Sequence, residues 1–163
     1  NSQRITWIDL SKSSHLISLD IQWGQIVDVD LTKHTELALL NLGACSSLTT
    51  LDLSKNLNLK EIYISKCGKL NSINTKFPNT PTLYRIQMSV NNFSEEDITV
   101  ILNSLYDRSD RTSGTVNIYH LTDVNEHNVI TLDHFNLAEN KNWLLKDGSN
   151  TQELVPSNYP SIP

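Results

Sequence analysis

Apolar residues recur along the first half of the chain in units of about eleven residues. Each unit has a leading apolar residue, followed three and five positions later by an apolar pair with one residue between its members, except in the seventh unit, where Ile73 is followed by Thr75. The leading residues are Ile5, Leu16, Ile26, Leu37, Leu48, Leu59 and Leu70. Because residues two positions apart share one face of a strand, the pattern predicts a short, half-buried strand in every unit.

The stretch 48–67 carries the pattern most completely, once as LTTLDLSKN and again as LKEIYISKC. The polar residues that end each unit are typical of turns. A single unit cannot bury its apolar face, whereas two units that close a coil of about 22 residues can share a core with the next coil. Since helical periodicity is absent from residues 5–75, we expect both halves of each coil to be extended.

The first of these two copies matches the leucine-rich-repeat signature LxxLxLxxN/C in full. The chain resembles leucine-rich-repeat surface proteins of Bacteroidetes over residues 5–75, with a looser match at residues 83–88. The resemblance implies an α/β leucine-rich-repeat solenoid, made of strand-rich coils of about 22 residues and closed by a C-terminal cap that contains helices. It also implies a place at the cell surface, in the periplasm or outside the cell.

The pattern changes after Asn91, where features of a helix replace it. Ser94 is suited to cap a helix, and acidic residues that favour the positive end of the helix follow it. Apolar residues then fall at helical spacing on one face. These residues are Ile98, Ile101, Leu102 and Leu105.

Three more segments are predicted after this helix. They are a strand over residues 115–119, a helix over residues 131–140 with Leu132, Phe135 and Ala138 inward, and a short strand or extended anchor at residues 143–145. Ala138, Lys141 and Trp143 also match the closing segment of the proteins that the chain resembles, although Asn142 stands where they have glycine. We therefore divide the chain into a solenoid (residues 1–89), its C-terminal cap in the same domain (residues 90–150) and a polar tail (residues 151–163).

The charge and composition exclude several classes of partner. The formal net charge is −5, and Lys and Arg do not cluster, which argues against a nucleic-acid interface and an anionic membrane surface. No apolar run approaches the length of a membrane span, so we expect no membrane insertion. Only two cysteines are present, too few for a scaffold of disulfides.

Those cysteines, Cys45 and Cys67, lie 22 residues apart at the same position of consecutive coils. They could form a disulfide or half of a metal site. We favour a pair of buried free thiols, because parallel stacked side chains rarely meet disulfide torsions and no His or second Cys pair has matching spacing.

Acidic residues form a predicted column on one face of the chain. Asp9, Asp30 and Asp52 occupy the outward position of alternate units, Asp28 stands beside them, and Asn74 continues the column. Stacked carboxylates could bind calcium. We favour a solvated column over a calcium site, and we predict no metal and no cofactor.

Catalytic motifs are missing from the sequence. It has no GxSxG nucleophile elbow, no HExxH helix and no glycine-rich phosphate loop, and its five histidines are scattered. We therefore predict no catalytic residues and expect that the protein is not an enzyme.

The other face of the units has a more contact-like composition, because Tyr and Arg are enriched at interface hot spots. The predicted binding residues are Leu39, Asn41, Glu61, Tyr63, Arg85 and Gln87. Trp7 and Trp23 are further candidates. It is equally plausible that Trp7 covers the first coil and that Trp23 packs beside a turn.

These features favour a non-catalytic module that recognises a protein partner. One alternative is a structural spacer within a longer surface protein, and another is a carbohydrate-binding protein that uses the aromatic residues. The sequence does not identify the ligand.

Overall fold

The computed structural model describes residues 5–70, 75–149 and 154–155, and for residues 75–76 the backbone alone. These residues form an open six-stranded parallel sheet, a separate two-stranded parallel sheet and two helices. The elements are β1 (Ser18–Asp20), β2 (Leu39–Asn41), β3 (Leu51–Asp52), β4 (Glu61–Tyr63), β5 (Thr75–Lys76), β6 (Arg85–Gln87), α1 (Glu95–Ser104), β7 (Gly114–Tyr119), α2 (Leu132–Asn140) and β8 (Trp143–Asp147). The strand order in the large sheet is β1-β2-β4-β6-β7-β8, and β3 pairs with β5.

A continuous row of apolar side chains runs across the middle of the large sheet. Each strand contributes one residue, and the residues pair in register from strand to strand. The row consists of Leu19, Leu40, Ile62, Ile86, Val116 and Leu145, all of them buried. Removing this apolar surface from water stabilises the sheet by roughly 25 cal/mol for each Å² buried.

The predicted leucine-rich-repeat solenoid is wrong. The described residues form one open six-stranded parallel sheet with two helices, an α/β fold, and a small two-stranded sheet, instead of coils that are extended in both halves. The segments between the short strands of the large sheet are mostly turns, and β3 and β5 are the only strands found there in the part of the chain that the structure describes.

Local hydrogen bonds explain why these segments are not extended. Asp30 Oδ1 accepts hydrogen bonds from the Thr32 backbone N–H (3.0 Å) and hydroxyl (2.6 Å). Asp52 bonds to Ser54 in the same way. Such side-chain bonds satisfy backbone groups locally and so compete with the pairing of strands. Asp9, Asp30 and Asp52 of the predicted column therefore form turns; the predicted member Asn74 lies outside the described residues.

The first helix begins and packs as the sequence predicts. Ser94 caps α1, and its side chain exchanges hydrogen bonds with Asp97 in a capping box. The predicted apolar face is buried against the core, and it consists of Ile98, Ile101, Leu102 and Leu105.

The second helix differs from its prediction in the residues that it buries. Ala138 is buried and Phe135 is partly buried, but Leu132 is 59% exposed. His134 is fully buried instead: its Nδ1 accepts from the Thr131 N–H (3.0 Å), and its Nε2 lies 3.1 Å from the Glu95 carbonyl oxygen. Burial lowers the pKa of His134, which keeps the ring neutral. Within the described residues, neither helix is long and apolar enough to cross a membrane.

The large sheet continues across the predicted boundary between residues 89 and 90, since Arg85 pairs with Thr115 and Gln87 with Asn117. Most of the predicted tail lies outside the described residues. Its described part is anchored, because Leu154 is 2% exposed and its N–H donates to the Leu145 carbonyl (2.9 Å).

Buried polar side chains connect one turn of the chain to the next. Asn91 is 1% exposed; its Nδ2 donates to the carbonyls of Ile64 (3.1 Å) and Met88 (2.9 Å), and its Oδ1 accepts from the Cys67 N–H (2.6 Å). Six further side chains bond to main-chain carbonyls of the turns: Cys45, Asn56, Cys67, Thr80, Arg108 and Asn128. These bonds satisfy carbonyl groups that the fold takes out of water.

Replacing Asn91 by Ala should lower the free energy of unfolding by about 2–4 kcal/mol, because three hydrogen bonds are lost and buried main-chain groups become unpaired. Urea unfolding followed by circular dichroism measures the change. The neighbouring Asn92 is exposed, so Asn92→Ala should change the unfolding free energy by no more than about 0.5 kcal/mol. Similar losses in the two variants would contradict this role for Asn91.

Candidate recognition surface

The six predicted binding residues lie together on the exposed face of the large sheet, on the neighbouring strands β2, β4 and β6. Leu39, Glu61 and Arg85 pair in register and form one row. Asn41, Tyr63 and Gln87 form a second row. All six side chains are partly exposed, and the buried apolar row passes between the two rows. We call these six residues the sheet-face patch.

Glu61 is the centre of a hydrogen-bonded cluster within the sheet-face patch. Its Oε2 accepts a hydrogen bond from the Tyr63 hydroxyl, and its Oε1 accepts one from the Tyr84 hydroxyl (2.6 Å). Arg85 Nη1 lies 3.6 Å from Glu61 Oε2 in an ion pair. The carboxylate therefore holds two phenol rings and one guanidinium group in fixed positions.

The cluster shifts the pKa values of its members in the directions that its bonds require. The hydroxyl groups of Tyr63 and Tyr84 hold the pKa of Glu61 below its ordinary value, and Arg85 adds to this effect. Burial and the bond to Glu61 raise the pKa of Tyr63, and the bond to Glu61 raises that of Tyr84. At neutral pH the cluster therefore contains an ionised carboxylate and two protonated phenols.

A second polar group lies on β1 and β2. Asp20 accepts hydrogen bonds from Asn41 Nδ2 (3.2 Å) and Gln22 Nε2 (3.2 Å). The Asn41 Oδ1 atom accepts from the backbone N–H of Gly43 (3.1 Å). These bonds orient the amide groups at the carboxyl ends of the strands.

A shallow pocket of about 200 Å³ lies beside these amides. Trp23, Tyr63 and Lys66 contribute to its lining. Trp23 is 61% exposed, so its indole ring is available at the surface. Packing beside a turn therefore buries only the smaller part of the Trp23 side chain. The pocket extends the sheet-face patch toward the carboxyl ends of the strands.

The backbone adopts a left-handed conformation three residues after the end of each of β1, β2, β4 and β6, at residues that are not glycine. They are Trp23 (φ 61°), Ala44 (φ 60°), Lys66 (φ 63°) and Val90 (φ 57°). Residues with a Cβ atom pay about 1–2 kcal/mol for this conformation. Because the Trp23 side chain is largely exposed, its burial does little to offset this conformational cost. This makes Trp23 a candidate for contact with a partner.

The structure adds Tyr84 to the residues that sequence reasoning identified. Tyr84 immediately precedes β6, and the alternation of strand residues does not mark it as a surface contact. Its 38% exposure and its bond to Glu61 place it in the cluster. Tyr84 lies near Glu61 because Glu61 pairs with Arg85 on the adjacent strand. A pattern of neighbouring residues along the chain does not reveal this pairing.

The two cysteines are buried free thiols that lie outside the sheet-face patch. Cys45 Sγ donates to the Ile21 carbonyl (3.1 Å) and Cys67 Sγ to the Leu42 carbonyl (3.2 Å). Burial raises the pKa of the Cys67 thiol to about 12. Both thiols therefore act as protonated hydrogen-bond donors. Among the described residues, no group of three or more His, Cys, Asp or Glu side chains is arranged to hold a metal ion.

Removing the Tyr84 hydroxyl should raise the pKa of Glu61, because one of the two phenol bonds to the carboxylate is lost. The depressed pKa of Glu61 in the folded state stabilises the protein above the unfolded pKa, and this stability is lost as the pH falls through the folded pKa. A carbon-13 titration of the Glu61 carboxyl resonance in Tyr84→Phe measures the change. Tyr106→Phe removes a hydroxyl elsewhere and should leave the titration unaltered. An identical Glu61 titration in the wild type and Tyr84→Phe would refute the cluster.

The strain at Trp23 predicts an unusual order of stability for two variants. Trp23→Gly should be more stable than Trp23→Ala by about 1 kcal/mol, since glycine adopts a positive φ without a steric cost. At Trp7, which has no positive φ, the order should be reversed or absent. Thermal unfolding of the four variants tests this, and greater stability of Ala at both positions would disprove the strain at Trp23.

Comparison of the chain with protein-family models, with curated proteins and with solved structures gives no match. The function is therefore inferred from the chemistry and geometry of the exposed surface.

Proposed function

We propose that the protein is a non-catalytic recognition module that binds a protein partner through the sheet-face patch and Trp23. The observation that carries the proposal is the cluster centred on Glu61, in which Tyr63, Tyr84 and Arg85 are held on an exposed sheet face. Tyr, Trp and Arg are the residues most enriched at interface hot spots.

The fixed geometry of the cluster favours binding. A side chain that is mobile before binding loses about 0.5–1.5 kcal/mol of free energy when an interface immobilises it. Because Glu61 already restrains the two tyrosines and Arg85, a large part of this ordering cost arises on folding and does not recur when the partner binds. The parallel sheet supplies a rigid backbone beneath them.

The composition of the surface suits a protein more than a nucleic acid. Row by row, Leu39 provides apolar contact, Asn41 and Gln87 provide amides, and Glu61 and Arg85 provide charges of both signs. Such a mixture matches the polar and apolar groups of a protein interface. A nucleic acid would require clustered Lys and Arg, and the net charge of the chain is −5.

The chemistry of the cluster supports a non-catalytic role. The raised pKa values of Tyr63 and Tyr84 keep both hydroxyls protonated, and both donate to Glu61. The low pKa of Glu61 disfavours its use as a general acid near neutral pH. The proposal includes a location at the cell surface, in the periplasm or outside the cell, and this part rests on the resemblance of the sequence pattern alone.

Affinity capture with matched variants tests the proposal. The immobilised protein is exposed to extracts of bacterial and host cell surfaces, beside the variants Tyr63→Ala/Arg85→Ala and Thr50→Ala/Lys55→Ala. The second pair is away from the large sheet and serves as the control. We expect a protein partner that the wild type and the control retain and that Tyr63→Ala/Arg85→Ala releases.

The dissociation constant of the purified partner should rise roughly 30-fold or more in Tyr63→Ala/Arg85→Ala, since truncation of a hot-spot residue costs about 2 kcal/mol. Circular dichroism and urea unfolding verify that this variant remains folded. Equal affinity in the wild type and in Tyr63→Ala/Arg85→Ala would reject the sheet-face patch as the interface. Loss of capture after enzymatic removal of glycans, but not after proteolysis, would show that the partner is not a protein.

A further inference from the structure

The large sheet ends in two edges of different kinds. β8 forms one edge, and the chain itself covers part of it, because the Leu154 N–H donates to the Leu145 carbonyl (2.9 Å). β1 forms the other edge, and no strand of the described residues pairs with its outer side. An uncovered edge presents main-chain groups that can pair with a strand of another chain.

β1 directs main-chain groups toward this outer side. The Ile21 N–H donates to the Asn41 carbonyl (2.8 Å), and Leu19, two residues earlier, is directed to the same side. The N–H and C=O groups of Ser18 and Asp20 therefore point away from β2. Both residues are exposed, and within the described part of the chain no hydrogen bond to these four groups is found. They are available to an added strand.

The apolar interior is incomplete at the same end of the molecule. The register of β1 on β2 places Leu10 and Leu16 of the first turn of the chain in the same positions as Leu31 and Leu37 of the second turn. Leu31 and Leu37 are fully buried, whereas Leu10 and Leu16 are partly exposed. The first turn therefore lacks a neighbour of the kind that covers the second.

Large apolar side chains of the first turn are also in contact with water. Ile5, Trp7 and Ile17 are all half exposed or more, and Trp7 is 74% exposed. The expectation that Trp7 covers the first coil does not account for this exposure. Exposed apolar residues beside an uncovered sheet edge are typical of an interaction site. We call β1 and residues 5–17 the open end.

We propose that the open end pairs with the open end of a second copy of this chain, which gives a dimer with twofold symmetry. β1 runs antiparallel to β1 of the second copy, with Leu19 beside its own counterpart. Ser18 then lies opposite Asp20 of the second copy, and the two residues exchange both of their main-chain hydrogen bonds. The Ser18 hydroxyl donates to the carboxylate of that Asp20, and the two Asp20 side chains lie diagonally and not opposite each other.

A second copy fits the open end better than a single added strand does. A peptide strand on β1 would satisfy the main-chain groups of Ser18 and Asp20, but it would leave Ile5 and Trp7 in water. A second copy carries β1 and residues 5–10 at the same separation, so it covers both parts of the surface at once. The sheet-face patch lies on β2, β4 and β6 and stays uncovered in each copy. Because the twofold axis is perpendicular to the sheet, both patches face the same side of the dimer.

Sedimentation equilibrium of the intact chain tests the dimer. Over micromolar to millimolar concentrations, the measured mass should rise from that of one chain to that of two. The variant Trp7→Lys/Ile17→Lys should raise the dissociation constant of the dimer at least about tenfold, because it places charges in the apolar part of the interface. Val124→Lys/Leu132→Lys changes two exposed apolar residues elsewhere and should dimerise as the wild type does.

All four of these side chains are exposed in the single chain, so both variants should fold, and circular dichroism verifies this. A wild type that stays monomeric at millimolar concentration would overturn the proposal. Equal dissociation constants for the two variants, or a mass that grows beyond two chains, would overturn it as well.

Amide hydrogen exchange tests the pairing of β1 itself. The amide protons of Ser18 and Asp20 should exchange more slowly as the dimer forms, whereas that of Leu19, which faces β2, should be slow at every concentration. Ser18→Pro removes an outward N–H and should weaken the dimer at least about tenfold, while Ser18→Ala keeps this N–H and should dimerise nearly as the wild type does. A dimer in which Ser18 and Asp20 still exchange rapidly would refute pairing through β1.

Discussion

The constraint on which the structure depends is the pairing of main-chain carbonyl groups that its turns bury. Asn56 is fully buried, and its Nδ2 donates to the carbonyls of Leu31 (2.9 Å) and His34 (2.8 Å). Asn128 donates to Met88 and Ile118 in the same manner. A carbonyl left unpaired in the interior costs about 1–3 kcal/mol. Because one amide bonds to two carbonyls of the neighbouring turn, it fixes the position of one turn against the next.

This constraint also determines the register of the large sheet. Its first four strands have only three residues each, too few to specify the pairing by themselves. The bonded turns place Leu40 beside Ile62 and Ile62 beside Ile86, so the buried row is continuous. The same register brings Glu61 beside Arg85 on the exposed face. The interior therefore decides which surface side chains meet.

Sequence patterns correctly predicted the buried residues of the large sheet and of α1, and the start of α1, since these depend on short-range spacing, but Leu132 of α2 is exposed and His134 is buried instead. Alternation identified Leu40 and Ile62 as buried, and Ser94 marked the helix start. The prediction of a solenoid was wrong because the alternation of apolar residues indicates burial and not strand pairing. In addition, the turns that contain Asp satisfy their backbone N–H groups locally. Alternation also grouped the residues of the sheet-face patch. Tyr84 was missed because its bond to Glu61 crosses from one strand to another.

The exposed tryptophans are the residues that folding explains least. Trp23 has a positive φ of 61° and is 61% exposed, and Trp7 is 74% exposed. Trp23 lies at the pocket beside Tyr63, and Trp7 lies at a cleft on other segments of the chain, so the two surfaces share no residue. Buried bonds hold both in place: Cys45 Sγ bonds to the Ile21 carbonyl two residues before Trp23, and His34 Nε2 lies 3.2 Å from the carbonyl of Leu10, three residues after Trp7. The interior therefore presents two exposed tryptophans on surfaces whose lining residues do not overlap.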